Sequence, residues 1–232
     1  MIYGPNYDPS FVRRPGWVTV DCHVHTQYSG DAITTLDELA ERVVDVGLDV
    51  VCITDHNTIR GAVRAAAEPA FPARVVVGEE VRTYAGEIIG LFLNQHIPAQ
   101  YRPRALCELI HGQGGITYLP HPTDMFANAL SEVEREAAAP WLDAIEVWNA
   151  KVMGESVNFA AADLAQALGR PGGAGSDAHY PEFVGQAFLH MPDFDGPPAF
   201  LAALPEAEVY GRLYRQGDRD WDNKVRPSIE PL

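Results

Sequence analysis

The alternation of short apolar runs with helical patterns constrains this chain more than any other feature of its sequence. Apolar, often β-branched runs occur at 17–25, 50–54, 75–77, 88–93, 116–119, 144–148 and 187–191, with a short one before Gly175. Segments with helical apolar spacing lie between most of these runs. Such an alternation is typical of a mostly parallel sheet, open or closed, that is covered by helices. We therefore expect an α/β fold.

The first strand and the first helix have the clearest local signals. In the strand, one face carries Val18, Val20, Cys22 and Val24, and the other carries Thr19, Asp21, His23 and His25. This strict alternation predicts an extended segment with one apolar face. Thr35 and Glu38 have the spacing of a capping box, and the apolar stripe that follows ends at Gly47. These signals predict the start and the end of the first helix.

Histidine and acidic residues cluster where the predicted strands end. His23 and His25 end the first run, Asp55 and His56 follow the second, Glu79 and Glu80 follow the third, Glu87 begins the fourth, His121 follows the fifth, and Asp177 and His179 follow the seventh. In parallel α/β folds the carboxyl ends of the strands open onto one face. We therefore expect these side chains to meet in one site.

The spacing and the residue types indicate a metal site. Residues i and i+2 of an extended segment point the same way, so His23 and His25 can bind one ion or adjacent ions. Each motif alone is a weak signal, but several strand ends carry the right residue type together. Imidazole and carboxylate ligands suit Zn²⁺, Mn²⁺ and Fe²⁺, and the lack of thiolate ligands favours a catalytic site over a closed structural one.

Length and composition indicate one globular domain. The 232 residues are 47% hydrophobic and 21% charged. We expect a single domain over 1–232, with its core at about 17–212 and a C-terminal surface extension at 213–232. No apolar run approaches the ~20 residues of a membrane-spanning helix. Three cysteines without CxxC spacing argue against a disulfide scaffold and favour a reducing cytoplasm.

The net charge limits the partners that this chain can bind. A formal charge of −15 disfavours long nucleic acids and anionic membranes. Bound divalent cations would reverse the field locally, so a small phosphorylated substrate remains compatible with this charge.

Five motifs follow one another along the chain: Asp21-Cys-His23-Val-His25, Thr54-Asp55-His56-Asn57, Gly78-Glu-Glu80, His121-Pro122 and Gly175-Ser176-Asp177-Ala-His179. Their order and spacing resemble those of the polymerase and histidinol phosphatase (PHP) superfamily, from about Val18 to Arg212. The resemblance implies a distorted (βα)₇ barrel with mostly parallel strands, a trinuclear metal centre and phosphoesterase activity.

The resemblance also implies a ligand set for two or three divalent ions of zinc, manganese or iron. The first ion would be bound by His23, His25, Glu80 and Asp177, the second by Glu80, His121 and Glu87, and the third by Asp31, His56 and His179. Glu80 is preferred over Glu79 because the family pattern is Gly-x-Glu. Glu87 departs from the family, in which a histidine is frequent at this position, whereas Asp31 occupies a position that holds His or Asp.

The reaction expected from this resemblance is hydrolysis of a phosphate ester of a small molecule, a nucleotide or a sugar phosphate, by a hydroxide that bridges two ions. Three alternatives stay open: a histidinol phosphate phosphatase, an exonuclease for short oligonucleotides, and a non-catalytic metal-binding module. Asp55 either protonates the leaving group or orients an imidazole, and we favour the second role. Arg82, Asn149 and Lys151 follow strand ends and are candidate substrate contacts.

Overall fold

The computed structural model describes residues 3–214, in which nine strands alternate with six α-helices. The strands are β1 (Trp17–Val24), β2 (Val50–Ile53), β3 (Arg74–Thr83), β4 (Gly86–Leu91), β5 (Ile116–Leu119), β6 (Ala144–Asn149), β7 (Gly172–Gly175), β8 (Ala187–Pro192) and β9 (Glu208–Gly211). The helices are α1 (Leu36–Val46), α2 (Arg60–Ala67), α3 (Pro103–Gly112), α4 (Glu132–Ala138), α5 (Glu155–Leu168) and α6 (Gly196–Ala203). Every run that predicted a strand forms one, and β9 is additional.

The strands form one sheet in the order β7-β6-β5-β4-β3-β2-β1-β8-β9. Only β4 and β8 run opposite to the other strands, because each is antiparallel to both of its neighbours. The remaining neighbours, β1–β2, β2–β3, β5–β6 and β6–β7, pair in parallel. The sheet curves into a nearly closed barrel, so the predicted α/β barrel with mostly parallel strands is confirmed.

The third strand is longer than the sequence predicted. It continues beyond Val77 to Thr83 and pairs with β4 in a hairpin that places Arg82 opposite Glu87. The expectation that Glu79 and Glu80 follow this strand is therefore wrong, because the antiparallel pairing keeps both in the extended chain. Since β4 is reversed, its first residues lie at the barrel end where the parallel strands terminate.

The barrel closes where the segment after β7 meets the end of β1. The backbone N–H of Asp177 donates to the carbonyl of His23 at 2.8 Å, and the N–H of His25 donates to the carbonyl of Ala178 at 3.0 Å. The buried carboxylate of Asp21 accepts a further bond from the Ser176 N–H at 2.9 Å. The closure therefore joins the segments that carry two of the sequence motifs.

Close packing around β7 requires glycine at two of its positions. A Cβ on Gly175 would lie 2.3 Å from the Cβ of His23 and 2.8 Å from Oε1 of Glu146. A Cβ on Gly173 would lie 2.4 Å from the ring of Tyr118. Glycine at these positions lets the neighbouring strands and side chains approach closely.

The apolar core and the first helix follow the sequence pattern. The larger buried cluster is built around β1, β2 and β8, and the smaller one lies between α3 and the β4–β5 pair. The capping box of Thr35 and Glu38 is formed, and α1 ends at Gly47 in the left-handed conformation. The apolar stripe predicted for this helix consists of Leu36, Leu39, Ala40, Val43 and Val44, of which Val44 is instead exposed.

Two further expectations concern the chain as a whole. Among residues 3–214, no helix has the length and apolarity needed to cross a bilayer. Of the predicted surface extension, residues 215–232 lie outside the described residues. Tyr214 is described and is buried, and its hydroxyl donates to the Ser176 carbonyl at 2.6 Å.

We expect Gly175→Ala to destabilise the barrel by roughly 1–3 kcal/mol or more, because the added methyl overlaps His23. The matched control is Gly112→Ala in α3, where a Cβ meets nothing within 4 Å and φ is not positive. The control should be neutral or slightly stabilising because alanine favours helix. Urea unfolding midpoints measure both effects. Equal midpoints for the two variants would contradict the steric account.

We also expect all three thiols to be unreactive in the native protein. Cys22, Cys52 and Cys107 are free and buried. Burial, with the charge of Asp143, raises the pKa of Cys107 to about 12, so at pH 8 this thiol stays protonated and is a poor nucleophile. A disulfide reagent such as DTNB should react slowly before denaturation and with three equivalents after it. Rapid native reaction at any of them would contradict the burial.

Candidate metal centre

All nine side chains proposed as ligands from the sequence lie together at one end of the barrel. They are His23, His25, Asp31, His56, Glu80, Glu87, His121, Asp177 and His179. Asp31 and His56 are partly exposed, and the others are buried. The fold thus brings remote segments of the chain into one cluster, although Glu80 lies within β3 rather than after it.

The innermost group joins the two histidines of the first motif to two carboxylates. Nε2 of His23 and Nε2 of His25 are 3.0 Å apart. Oε2 of Glu80 lies 3.4 Å from the first nitrogen and 3.3 Å from the second. Oδ1 of Asp177 lies 3.7 and 3.4 Å from the same two atoms. Both carboxylates therefore lie within 4 Å of the two imidazole nitrogens.

Glu80 also connects this group to the neighbouring side chains. Its Oε1 lies 3.1 Å from Nε2 of His121, and its Oε2 lies 3.0 Å from Nδ1 of His56. Glu79, the preceding residue, points elsewhere and binds Nδ1 of His96 and the Ile97 N–H at 2.7 and 3.0 Å. The strand alternation therefore separates the two glutamates, in agreement with the preference for Glu80.

Glu87 differs from the grouping that the resemblance implied. Its donor atom clusters with those of His56 and Glu80, whereas His121 clusters with His23 and Asp177. Hydrogen bonds from Arg82 and Asn128 hold the Glu87 carboxylate where it lies. Oε1 of Glu87 accepts hydrogen bonds from Arg82 at 3.2 and 3.3 Å and from the side-chain amide of Asn128 at 3.3 Å.

The outermost group lies toward the solvent. Oδ2 of Asp31 is 3.3 Å from Nε2 of His56 and 3.8 Å from Nε2 of His179. His25, His56 and His179 also bring three ring nitrogens close enough to hold one ion. His25 therefore belongs to both groups: it lies beside His23 in the innermost group and beside His56 and His179 in the outermost group.

Asp55 supports the cluster from behind through a serine. Its carboxylate accepts bonds from the Thr26 N–H at 2.6 Å and from the Ser29 hydroxyl at 2.9 Å. Since that hydroxyl donates to Asp55, its lone pairs accept from the His56 N–H at 3.0 Å and from Nδ1 of His25 at 2.9 Å. The network therefore favours a proton on Nδ1 of His25 and turns Nε2 toward the cluster.

Glu146 supports His23 from behind in a similar way, and the sequence analysis did not identify it. Its Oε1 lies 3.1 Å from Nδ1 of His23, and its Oε2 accepts from the His121 N–H at 2.8 Å and from the Asn149 amide at 2.9 Å. A carboxylate behind an imidazole fixes the ring and its tautomer. The available signal was a single acidic residue inside the apolar run at 144–148.

Two of the nine proposed ligands have an unusual backbone conformation. His121 has φ of 30° and Asp177 has φ of 52°, both in the left-handed region that non-glycine residues seldom adopt. Such conformations persist where surrounding contacts impose them, and they concentrate at functional sites. Here the hydrogen bonds of Glu146 to His121 and of His23 to Asp177 supply those contacts.

The carboxylates of the cluster favour positive charge at His56, whereas burial and the charge of Lys151 lower the pKa of His179 to about 4. Burial opposes protonation of His56, but the carboxylates of Glu80 and Asp31 outweigh it and raise the pKa of His56 to about 11. Burial likewise opposes ionisation of Asp177, yet Lys151 and His23 hold the pKa of its carboxyl well below the ordinary value. Carboxylates that retain protons on nearby imidazoles also favour a bound cation.

A cavity of about 380 Å³ opens above the cluster. Arg82, Asn149 and Lys151, the three predicted substrate contacts, all line it, whereas Asp55 does not. The Lys151 ammonium lies 3.6 Å from Oδ1 of Asp177 and 3.3 Å from Nε2 of His179. Both amide hydrogens of Asn149 already bond to Glu146 and Asp177, so this side chain acts mainly as a brace.

Two family models and two curated relatives match this chain. The family model described as PHP domain matches residues 21–146, and the model described as PHP-associated matches residues 155–209. An uncharacterized protein of Methanocaldococcus jannaschii is 40% identical over 141 residues, which cover 56% of this chain and 81% of that protein. A second uncharacterized protein from the same organism is 29% identical over 196 residues, which cover 80% of this chain and 78% of the relative.

Solved structures share the fold at low identity. A two-domain protein from Bacteroides vulgatus, which contains a predicted PHP-like metal-dependent phosphoesterase, aligns with a TM-score of 0.64 at 18% identity over 87% of this chain and 67% of that one. PsfC from Pseudomonas syringae aligns with a TM-score of 0.66 at 16% identity, over 90% and 97% of the two chains. Endonuclease Q from Pyrococcus furiosus aligns with a TM-score of 0.64 at 15% identity, over 83% and 57%. With the family model matching more than half of its residues, this chain belongs to the PHP domain family.

Proposed function

We propose that this protein is a metal-dependent phosphoesterase that hydrolyses phosphate esters of small molecules. The observation that carries the proposal is the convergence of nine nitrogen and oxygen donor side chains beneath a cavity that also presents Arg82 and Lys151. Membership of the PHP family supports the reaction class, as does the fold shared with the Bacteroides vulgatus protein.

The donor set fits divalent metal ions. Glu146 and Ser29 bind Nδ1 of His23 and of His25, so the two Nε2 electron pairs face each other beside carboxylate oxygens. Electron pairs at 3.0 Å repel unless a cation or a proton lies between them. Oδ1 of Asp31 and Nδ1 of His121 are also buried without a hydrogen-bond partner among the described residues. Neutral imidazoles and carboxylates are ligands for zinc, manganese and iron.

The cavity residues Lys151 and Arg82 and the buried Asp55 then have distinct roles. Bound ions would supply a nucleophile at neutral pH and neutralise charge on the phosphoryl oxygens. Lys151 and Arg82 add positive charge at the cavity wall, where phosphoryl oxygens carry negative charge. Asp55 orients His25 through Ser29 and does not line the cavity, so we assign it a positioning role rather than that of leaving-group acid.

The net charge favours small substrates over polymers. At −15, the protein repels a long polyanion, and only the region near the ions and the two cationic side chains reverses that field. Endonuclease Q, which shares the fold, has been crystallised with a 27-mer DNA duplex that carries an abasic lesion, so short oligonucleotides and abasic DNA belong in the substrate panel. Histidinol phosphate belongs there as well. A non-catalytic module would bind metal without turnover on any of them.

We expect removal of metal with EDTA to reduce hydrolysis of p-nitrophenyl phosphate by roughly 100-fold or more, because charge stabilisation at phosphorus is lost. Added Mn²⁺ should restore activity to the wild type but not to His25→Ala. His111→Ala is the matched control, since His111 binds Asp143 and has no part in the cluster. Activity that survives metal removal, or a lack of turnover on the whole panel at full metal occupancy, would refute the proposal.

We expect Glu146→Gln to lower metal affinity by roughly 10- to 100-fold, because the amide has only one oxygen and cannot accept from both His121 and His23, so His23 loses its acceptor. The substitution preserves volume, so the fold should persist. Calorimetric titration with Zn²⁺ or Mn²⁺ measures the loss. The control is Glu134→Gln, whose carboxylate makes only a 3.9 Å ion pair with Arg102. Unchanged affinity in Glu146→Gln would show that this carboxylate does not support the ligands.

A further inference from the structure

The cavity has two chemically different regions. Its floor is formed by the carboxylates and imidazoles, with Lys151 and Arg82 beside them. Its lining also includes the apolar side chains of Phe126, Val152 and Met153. Phe126 is 79% exposed and Met153 is 54% exposed, so these two stand at the rim rather than in the core. The charged floor suits a phosphoryl group, whereas the apolar rim suits a different part of the same ligand.

The loop that carries Phe126 is fixed at both of its ends. At its start, the Thr123 hydroxyl donates to the Val157 carbonyl at 2.7 Å, which ties the loop to α5. At its end, the carbonyl of Asn128 accepts from the Glu87 N–H at 2.8 Å, which ties the loop to β4. These two anchors hold the loop base against the barrel.

Only the tip of this loop presents large apolar side chains. Asp124, which is buried and also lines the cavity, accepts a hydrogen bond from the Phe126 N–H at 2.9 Å. Met125, next to it, is 85% exposed. The Phe126 ring is exposed to water at the mouth of the cavity. A ligand that covered this ring would gain the favourable free energy of burying its apolar surface.

We propose that the rim recognises a flat aromatic ring in the leaving group of the substrate, with Phe126 as the specificity-determining residue. This inference rests on the proposed phosphoesterase function and narrows it to phosphomonoesters whose alcohol carries such a ring, a nucleoside being the simplest example. Aromatic side chains stack on any planar base, and methionine adds an adaptable apolar contact. The described lining provides few cationic groups, in keeping with a single phosphoryl group as the charged part.

Comparing two substrates separates the effect of the aromatic ring from the chemistry of ester hydrolysis. Adenosine 5′-monophosphate and ribose 5-phosphate have the same scissile ester and differ in the base, so a difference in kcat/KM reports the contact with the ring. We expect the Mn²⁺-loaded wild type to prefer the nucleotide by about tenfold or more, which is the usual effect of one stacked base. Phe126→Ala should reduce this preference to about twofold, while Phe126→Trp should retain it.

The matched control is Val133→Ala, because Val133 is 75% exposed on α4 and does not line the cavity. Its preference should equal that of the wild type. Equal rates for the two compounds in the wild type, or a preference that survives in Phe126→Ala, would overturn the inference.

Binding of the two non-hydrolysable 5′-phosphonate analogues separates the inference from the function on which it rests. Calorimetric titration of the Mn²⁺-loaded protein should show tighter binding of the adenosine phosphonate, and Phe126→Ala should remove the difference. Selective binding without hydrolysis of any ester would reject the phosphoesterase proposal and keep the aromatic subsite. Hydrolysis with equal binding of the two analogues would reject the subsite and keep the phosphoesterase.

Discussion

Negative charge held in a buried cluster is the constraint on which the rest of this structure depends. Glu80, Glu87 and Asp177 are almost fully buried, and each lies within 4 Å of a histidine ring nitrogen. Buried carboxylates destabilise a fold unless protons, cations or hydrogen bonds compensate their charge. The imidazoles, the ammonium of Lys151 and the guanidinium of Arg82 compensate part of it. A bound divalent ion, as we propose, would complete the balance and would couple metal binding to the stability of this barrel end.

The same end of the barrel is also where the sheet closes, and this links folding to chemistry. The hydrogen bonds that join β1 to the segment after β7 involve the backbone of His23, His25 and Asp177 themselves. Gly175 permits the approach by leaving room for His23. Behind the proposed ligands, Glu146 and the Ser29–Asp55 pair fix ring orientations. Barrel closure and these hydrogen bonds together set the geometry of the cluster.

Much of the architecture was predictable because it depends on local sequence. Short apolar runs identified the core strands, period-2 alternation supported β1, and the capping box of Thr35 and Glu38 gave the start of α1. The choice of Glu80 over Glu79 agrees with the structure, since neighbours on a strand point to opposite sides. Strand direction was not predictable. The reversal of β4 arises from hairpin pairing with β3, and apolar runs read the same in either direction.

By itself, the sequence determined which residue types are available to bind metal and that most of them follow apolar runs, because residue type and spacing are local properties. Only the tertiary structure decided what surrounds them. The contacts of Ser29 with Asp55, of Glu146 with His23 and of Glu87 with Asn128 join residues that are remote in sequence, and packing also places the exposed Phe126 at the cavity mouth. Such contacts depend on how the whole chain packs, and no spacing rule along the chain encodes which distant side chains become neighbours.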